Sequence, residues 1–150
     1  MNEKFKEAVE LFEEVVIHGK ERVLKFSGHP LWREYSHEQI EVLKILATYG
    51  KATSSELAQL QGVHKSAISS RIRKLLEKNM VSIQFDKKDR RMKYISLTEK
   101  GKQILQLSRE AIYKQFESII FEHFDEKEID RFIVMFRKLK EILQKRSGRS

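Results

Sequence analysis

The stretch from Thr53 to Leu97 constrains the fold of this chain most strongly, because its apolar residues change from helical spacing to strand alternation within one segment. Helical spacing predicts a short helix over Ser54–Leu60 and a second helix from about His64 to Lys78. Between them, Gly62 can adopt the left-handed conformation that a tight corner between two helices needs. A hairpin follows, in which apolar residues alternate with polar ones as in half-buried strands: Val81, Ile83 and Phe85, then Ile95 and Leu97.

The second of these helices has one apolar face and one open face. Its apolar stripe consists of Ile68, Ile72, Leu75 and Leu76. The opposite face carries short polar and basic side chains: Lys65, Ser66, Ser69, Ser70 and Arg73. A helix face that is small, polar and basic suits insertion into the major groove of DNA, where base edges present hydrogen-bonding groups. The competing interpretation is a helix face that contacts only solvent.

The tip of the predicted hairpin, Asp86 to Arg91, has no apolar residue that would give it a reason to pack. Its four cations are Lys87, Lys88, Arg90 and Arg91. Because cations held close together repel one another, such a loop is favoured where an anion lies nearby. We expect Asp86 and Asp89 to hold these cations by ion pairs and to shape the loop.

The residues of this stretch resemble those of the MarR family of bacterial winged-helix transcription regulators. The resemblance is carried by Glu56-Leu57-Ala58, Gly62-Val63, Ser66, Ile68-Ser69, Arg71-Ile72 and Leu75, then by Asp86-Lys87-Lys88-Asp89-Arg90-Arg91 and Leu97-Thr98-Glu99-Lys100-Gly101. The most specific part is the wing pattern D-x-[KR]-D-x-R with L-T-x-x-G after it. Lys88 departs from the arginine that family members often have. Because lysine lacks the planar guanidinium fork, we expect weaker insertion into the minor groove there, or insertion by Arg90 or Arg91 instead.

The resemblance covers the whole chain and implies a mainly α fold with a small β-hairpin wing. It implies a winged helix-turn-helix DNA-binding domain, together with a helical dimerisation region built from both chain ends. In residue numbers, these parts are an N-terminal dimerisation helix over 1–28, a winged-helix DNA-binding region over 36–97 and C-terminal dimerisation helices over 98–146. Three pairs typical of capping boxes mark helix starts: Ser36 with Gln39, Thr53 with Glu56 and Asp125 with Glu128.

Outside the central stretch, helical spacing predicts a long helix and then a shorter one, capped by Ser36 and stopped by Gly50, before it, and two long helices after it. The first runs from Glu3 to about Phe26 and ends at Gly28-His29-Pro30, and the last two reach about Glu122 and about Lys145. Residues 51–53 are predicted to form a short third strand beside the wing. The apolar faces of the long helices are too large to bury within one chain of 150 residues. Since burial of apolar area is favourable, we expect two chains to associate as a homodimer.

Charge and composition agree with a nucleic-acid partner and exclude several classes of protein. The 30 Lys and Arg residues outnumber the 22 Asp and Glu residues, and a net charge of +8 attracts polyanions. The chain has no cysteine, which excludes disulfides, thiol catalysis and the cysteine-based, peroxide-sensing branch of the family. No apolar run approaches the roughly 18 residues of a membrane span, and the acidic amphipathic N-terminus does not resemble a signal peptide. We expect a cytoplasmic protein without a membrane partner.

The predicted function is sequence-specific transcription regulation, by a homodimeric repressor on an inverted-repeat operator in double-stranded DNA. Base edges are the predicted partners of Lys65, Ser66, Ser69 and Arg73. Phosphates are the predicted partners of Arg71, Lys74, Thr53 and Ser54. The minor groove or its phosphates are the predicted partners of Lys87, Lys88, Arg90 and Arg91. A small-molecule effector that changes the spacing of the two recognition helices would release the DNA. Its predicted pocket comprises Phe12, Phe26, Trp32 and Tyr35, for which plain core packing is the competing interpretation.

Neither a cofactor, a metal nor catalysis is predicted. The five histidines are His18, His29, His37, His64 and His123, and no two of them have the i, i+3 or i, i+4 spacing of a helical metal site. The sequence contains no phosphate-cradling Gly-rich loop and no nucleophile elbow. Two alternatives to a specific regulator are a non-specific nucleic-acid binder and a dimeric winged-helix adaptor without specific DNA binding. DNA affinity that falls steeply with salt but shows no sequence preference would indicate the non-specific binder. Loss of the exposed cations would indicate the adaptor.

Overall fold

The computed structural model of the chain describes residues 1–25 and 29–146. The elements are α1 (Glu3–Lys25), α2 (Leu31–Glu34), α3 (His37–Tyr49), α4 (Ser54–Gln61), α5 (Lys65–Glu77), β1 (Val81–Phe85), β2 (Lys93–Leu97), α6 (Glu99–His123) and α7 (Glu126–Arg146). Residues 1–112 form one compact unit, and the residues from 113 onward form another. Among the described helices, none has both the length and the apolar character to cross a membrane. The fold is mainly helical with one hairpin, as predicted. Gly28 of the predicted break Gly28-His29-Pro30 and the predicted helix end at Phe26 lie outside the described residues.

The core of the first unit lies between α3, α4, α5 and the hairpin. Its largest fully buried side chains include Ile40, Leu43, Leu46, Leu57, Ile68, Leu75, Met80 and Ile95. The predicted stripe of α5 is confirmed, because Ile68, Ile72 and Leu75 are buried and Leu76 packs against the core at its edge. Burial of this stripe leaves the opposite face of α5 at the surface.

Local hydrogen bonds place the helix ends close to where the sequence predicts them. The three capping boxes are confirmed: Ser36 with Gln39, Thr53 with Glu56 and Asp125 with Glu128. Gly62 ends α4 in the left-handed conformation, with a φ of 62°, so that the corner between α4 and α5 is as predicted. Asn79 follows α5 with a φ of 57° and turns the chain into β1.

The two strands of the hairpin pair antiparallel, with Val81 opposite Leu97 and Phe85 opposite Lys93. The predicted third strand over residues 51–53 is only a single bridge, in which Ala52 N lies 3.0 Å from Ile95 O and Ile95 N lies 2.8 Å from Ala52 O. The bridge cannot lengthen into a strand because the next residue, Thr53, already caps α4.

The apolar faces of α1 and α7 are exposed in the single chain. None of the residues of α1 is buried, and none of the described side chains of α7 is buried either. The exposed apolar side chains include Phe5, Phe12, Val15 and Leu24 in α1, and Phe132, Phe136, Leu139 and Leu143 in α7. In α7 the rings of Phe132 and Phe136 stack, with their centroids 4.2 Å apart. Each helix therefore presents an apolar surface without a partner in its own unit.

The start of α6 is held against the backbone that follows α5. The Thr98 hydroxyl donates to Asn79 O over 2.6 Å, and Thr98 N donates to Met80 O over 3.1 Å. The same hydroxyl accepts from Gly101 N over 3.1 Å. A Cβ at position 101 would lie 2.1 Å from Met80 O, so only glycine fits. This close approach explains why the Leu-Thr-x-x-Gly segment has glycine at position 101.

Replacing Gly101 by alanine is expected to lower the free energy of unfolding by about 1–3 kcal/mol, because a backbone carbonyl has to move away from the new methyl group. Gly19→Ala is the matched control, since a Cβ at position 19 of α1 meets nothing within 4 Å. The control is expected to raise stability by up to about 1 kcal/mol, as alanine favours the helix. Urea unfolding at one fixed protein concentration measures both changes, and equal midpoints for Gly101→Ala and the unmodified chain would contradict the close approach.

Candidate nucleic-acid interface

The open face of α5 is polar and basic, as the sequence predicts. The side chains of Lys65, Ser66, Ser69, Arg73 and Lys74 are exposed, and Ser70 is half-buried. His64 caps the helix, because its Nδ1 accepts from Ser66 N over 3.5 Å and lies 3.3 Å from the Ser66 hydroxyl. The Ser69 hydroxyl donates to Lys65 O over 3.0 Å. Local bonds thus orient Ser66 and Ser69. Sequence reasoning missed the cap, because histidine is not among the usual capping residues.

The cations of this face are free of carboxylates. Within residues 1–25 and 29–146, the ion pairs lie in α1, α3 and α6, and none involves Lys65, Arg73 or Lys74. Their ammonium and guanidinium groups are therefore available to an anion from outside the chain. Because the face has short side chains between its cations, a flat, hydrogen-bonding surface can approach the helix closely.

Arg71 is placed differently from the other cations of α5. Its Nη1 donates to Gln61 Oε1 over 2.6 Å, and Gln61 Nε2 donates in turn to Glu38 O over 3.3 Å. The side chain is half-buried on the flank of the helix. Part of the guanidinium is thus engaged within the chain, and these bonds join α5 to the corner after α4 and to the start of α3. A phosphate contact by Arg71 stays a prediction.

The start of α4 offers backbone donors beside two hydroxyls. The side chains of Thr53 and Ser54 are half-buried, and the Thr53 hydroxyl accepts from Glu56 N over 3.2 Å. The first amides of a helix have no partner within it, so this end of α4 can donate to a phosphate. The Thr53 oxygen is already used as the cap acceptor, so a phosphate contact would come from its O–H or from the amides.

The two aspartates of the wing tip bind backbone amides, so the expected ion pairs are wrong. Asp86 Oδ1 accepts from Lys88 N over 2.7 Å and from Asp89 N over 3.4 Å. Asp89 Oδ1 accepts from Arg91 N over 3.0 Å. The aspartates do shape the loop, as expected, but through hydrogen bonds to the backbone. A short Asp side chain reaches the amide two residues on more easily than it reaches the charged end of a neighbouring Lys or Arg. All four tip cations remain exposed.

Two aromatic residues of the hairpin lie beside lysines. Lys51 Nζ lies 4.4 Å from the centroid of the Tyr94 ring, and Lys93 Nζ lies 5.7 Å from that of Phe85. The alternating pattern predicts Phe85 on a half-buried face, yet its side chain is 59% exposed. The alternation correctly places Phe85 on the same face of β1 as Val81. The core that buries Val81 does not extend to the end of the strand, so Phe85 stays exposed.

The predicted effector residues that the structure describes lie in different surroundings. Tyr35 lies in the core, where burial and the Glu34 carboxylate raise the pKa of its hydroxyl. The Trp32 ring stacks on His37, with centroids 4.3 Å apart, and packs against that core. Phe12 is exposed on α1, and Phe26 lies outside the described residues. Core packing, the competing interpretation, therefore describes Trp32 and Tyr35.

A groove of about 670 Å³ lies elsewhere in the first unit, between α1, α3 and the corner after α4. Its apolar wall includes Val15, Val16, Val23, Leu24, Ile45, Leu60, Val63 and Ile112. Its polar lining includes Lys20, His37, Glu38, Glu41, Lys44, Gln61 and Arg71. The bond between Arg71 and Gln61 thus lies in the wall of this groove. Among the described residues, no three His, Asp or Glu side chains are grouped closely enough to hold a metal ion.

Comparison with known proteins identifies the family. The family model described as MarR family matches residues 35–93, which include α3, α4, α5, β1 and the wing tip. The chain is 40% identical over 145 residues to the uncharacterized HTH-type transcriptional regulator YdgG of Bacillus subtilis (strain 168), and the match covers 93% of both chains. The chain belongs to the MarR family. It is therefore a transcriptional regulator of that family, whose members are regulators and not enzymes.

Solved structures agree with this MarR-family fold. A MarR family protein from Bacillus stearothermophilus matches with a TM-score of 0.72 and 23% identity, over 96% of this chain and 99% of that one. A point mutant of MepR from S. aureus, bound to an oligodeoxyribonucleotide, matches with a TM-score of 0.59 and 20% identity, over 91% of this chain and 98% of that one. At these identities, the likeness establishes the winged-helix fold alone.

Replacing Asp86 by alanine is expected to raise the hydrogen-exchange rates of the Lys88 and Asp89 amides, because both lose their acceptor. Asp86→Asn keeps the Oδ1 acceptor and removes the charge, so its exchange rates should stay close to those of the unmodified regulator. Because Asp86 lies at the surface of the wing, the free energy of unfolding should change by less than about 1 kcal/mol in both variants. Residue-resolved hydrogen exchange measures the rates, and equal acceleration in both variants would show that the charge orders the tip.

Proposed function

We propose that this MarR-family regulator is a homodimeric repressor that binds an inverted-repeat operator in double-stranded DNA. The observation that carries the proposal is the combination of an exposed polar and basic face on α5 with an exposed cationic wing tip, neither of which has an ion pair within the described residues. A helix face suits the major groove and a cationic loop suits the neighbouring minor groove or its phosphates. The net charge of +8 adds long-range attraction to DNA.

The exposed apolar faces of α1 and α7 support the dimer. Large apolar side chains on both helices contact solvent in the single chain, among them Phe5, Phe12, Phe132 and Phe136. Covering such surface contributes roughly 25 cal/mol per Å², so two chains gain stability by burying these faces against each other. A two-fold dimer carries two α5 helices related by symmetry, and its DNA site then has matching half-sites about one helical turn or a multiple of it apart.

The proposed contacts divide by chemistry. Side chains of the open α5 face read base edges: Lys65, Ser66, Ser69 and Arg73. Side chains at its flank and at the start of α4 hold phosphates: Arg71, Lys74, Thr53 and Ser54. The wing tip enters the minor groove or holds its phosphates: Lys87, Lys88, Arg90 and Arg91. Phosphate contacts set affinity and its salt dependence, while base contacts set the sequence that is preferred.

Release by a small-molecule effector is the finer part of the proposal, and the groove between α1 and α3 supports it. A ligand there would lie against apolar side chains and beside the guanidinium of Arg71. An acceptor group on the ligand would compete with Gln61 for Arg71 Nη1, the bond that joins α5 to the corner after α4. Loss of that bond would change how α5 is held, and with it the spacing of the two recognition helices.

A footprint on the DNA upstream of the protein's own gene, at controlled salt and beside scrambled DNA, tests the proposal. Protection of an inverted repeat at concentrations well below those needed for scrambled DNA is the expected result. Equal binding to both fragments would favour the non-specific binder. Selection of binding sites from the whole genome would then show whether a specific operator lies elsewhere. Failure to bind either fragment at low salt would contradict the proposal and favour the adaptor.

Arg73→Ala is expected to relax the preference for one base pair in each half-site, because a bidentate contact to a base contributes about 1–3 kcal/mol of discrimination. Lys127→Ala is the control, since it removes the same charge from an exposed position at the start of α7. Selection from a randomised operator library measures the preference at every position. An unchanged profile with uniformly weaker binding would instead assign Arg73 to a phosphate.

Alanine at Arg90 or at Arg91 is expected to weaken binding to all duplexes and to reduce the salt slope by about one for each lost phosphate contact. The slope is the change of log affinity with log salt concentration, measured by fluorescence anisotropy. Lys127→Ala again matches the loss of net charge and should leave the slope unchanged. Identical slopes in the wing variants and the unmodified regulator would mean that these arginines do not touch DNA.

A further inference from the structure

The apolar face of the wing continues past the core that buries its base. Val81, Ile83 and Phe85 share one face of β1, and their side chains are 3%, 38% and 59% exposed. Opposite them on β2, Ile95 is buried and Lys93 is exposed. The Phe85 ring therefore stands on the side of the hairpin that faces the core, but beyond the end of that core. We call this ring together with Lys93 the wing shoulder.

The surroundings of the wing shoulder are strongly cationic. Five cations and one carboxylate lie between Lys87 and Lys93, and that carboxylate, on Asp89, is bound to a backbone amide. Lys93 Nζ lies 5.7 Å from the centroid of the Phe85 ring, so that a positive charge and an apolar surface are presented side by side. None of these cations has an ion pair within the described ranges.

This combination fits a DNA strand better than a second copy of the chain. A second wing shoulder would bring like charges together, which costs free energy. A DNA strand alternates anionic phosphates with sugars that have apolar edges, and proteins that enter the minor groove use phenylalanine and other apolar side chains there, inserted between base steps. The backbone bonds of the tip hold the shoulder in place, since Asp86 N donates to Met92 O over 3.0 Å.

We propose that Phe85 packs against a deoxyribose beside the groove that the wing tip enters, while Lys93 binds an adjacent phosphate. This inference rests on the proposed DNA binding and adds to it a contact that is independent of salt. The four cations of the tip give the wing affinity that falls as salt rises, because each phosphate contact releases counterions. An apolar contact releases none, so Phe85 acts as a positioning residue that fixes the depth of the wing at every salt concentration.

The test compares Phe85→Ala, Phe85→Leu and Lys93→Ala with the unmodified chain. The probe is a duplex of about 30 base pairs, roughly three helical turns, that the unmodified protein selects from a random pool. If no sequence is enriched, the unselected pool serves as the probe. Phe85→Ala should bind about tenfold more weakly at all salt concentrations, which corresponds to loss of roughly half the burial of a phenylalanine side chain. Its salt slope should equal that of the unmodified protein.

The other two variants separate the apolar contact from the ionic one. Phe85→Leu keeps most of the apolar surface and should bind within about threefold of the unmodified protein. Lys93→Ala should reduce the salt slope by about one, as a lost phosphate contact does. Thermal unfolding serves as the folding control, and the side chain of Phe85 is exposed enough that its loss should leave the melting temperature nearly unchanged.

Three outcomes would overturn the inference. Superimposed salt curves for Phe85→Ala and the unmodified protein would show that the ring does not contact DNA. Curves that converge at high salt would show that Phe85 acts through the charges. Phosphatidylglycerol vesicles that bind the protein through Phe85, with unchanged duplex binding, would assign the shoulder to a lipid surface. If the unmodified protein enriches no sequence, the proposed specific repressor is contradicted. A salt curve of Phe85→Ala on the unselected pool that is parallel to that of the unmodified protein, but at lower affinity, would still support the shoulder contact.

Discussion

Burial of the apolar stripe of α5 determines how the candidate interface is presented. Ile68, Ile72 and Leu75 pack in the core between α3, α4 and the hairpin, which fixes the rotation of α5 about its own axis. Because side chains on a helix keep constant angles to one another, the same burial turns Lys65 and Arg73 outward. The base of the wing belongs to that core as well, through Met80, Val81 and Ile95. One core therefore sets the positions of both the helix and the wing, and a change in it would disturb both.

The sequence predicts those parts of the fold that depend on short-range physics. Helix starts follow from capping boxes whose partners are three residues apart, and the two faces of α5 follow from its 3.6-residue period. The left-handed residues Gly62 and Asn79 lie at the predicted helix ends for the same reason. The family is also recognisable, because the two aspartates of the wing tip and the Leu-Thr-x-x-Gly segment both serve local geometry. Gly101 lets α6 approach Met80, and Thr98 bonds the backbone just before it.

The features that the sequence does not predict depend on where packed surfaces end. Alternation assigns Phe85 to the face of Val81, but it cannot tell how far the core extends along the strand. The aromatic residues near Pro30 suggest a pocket, yet Tyr35 fills the core, and the groove is lined by aliphatic residues of α1 and α3 that lie far apart in the chain. Arg71 looks like another surface cation of α5 until the fold brings Gln61 within 2.6 Å of it. These positions depend on tertiary contacts, which produce no periodic pattern in the sequence.

The carboxylates near the candidate interface explain how a mixed-charge segment presents a positive surface. Elsewhere several acids pair with cations three or four residues away, as Glu41 does with Lys44 in α3 and Glu99 with Lys102 in α6, although Asp125 and Glu128 bind backbone amides at the start of α7. Around the helix-turn-helix and the wing tip, acids bind backbone amides instead: Glu56 at the start of α4, and Asp86 and Asp89 in the tip. An acid held on the backbone orders a helix start or a loop, while the neighbouring long cations stay exposed. The free chain therefore keeps its cations close together without local partners, and the repulsion among them is relieved when a polyanion binds.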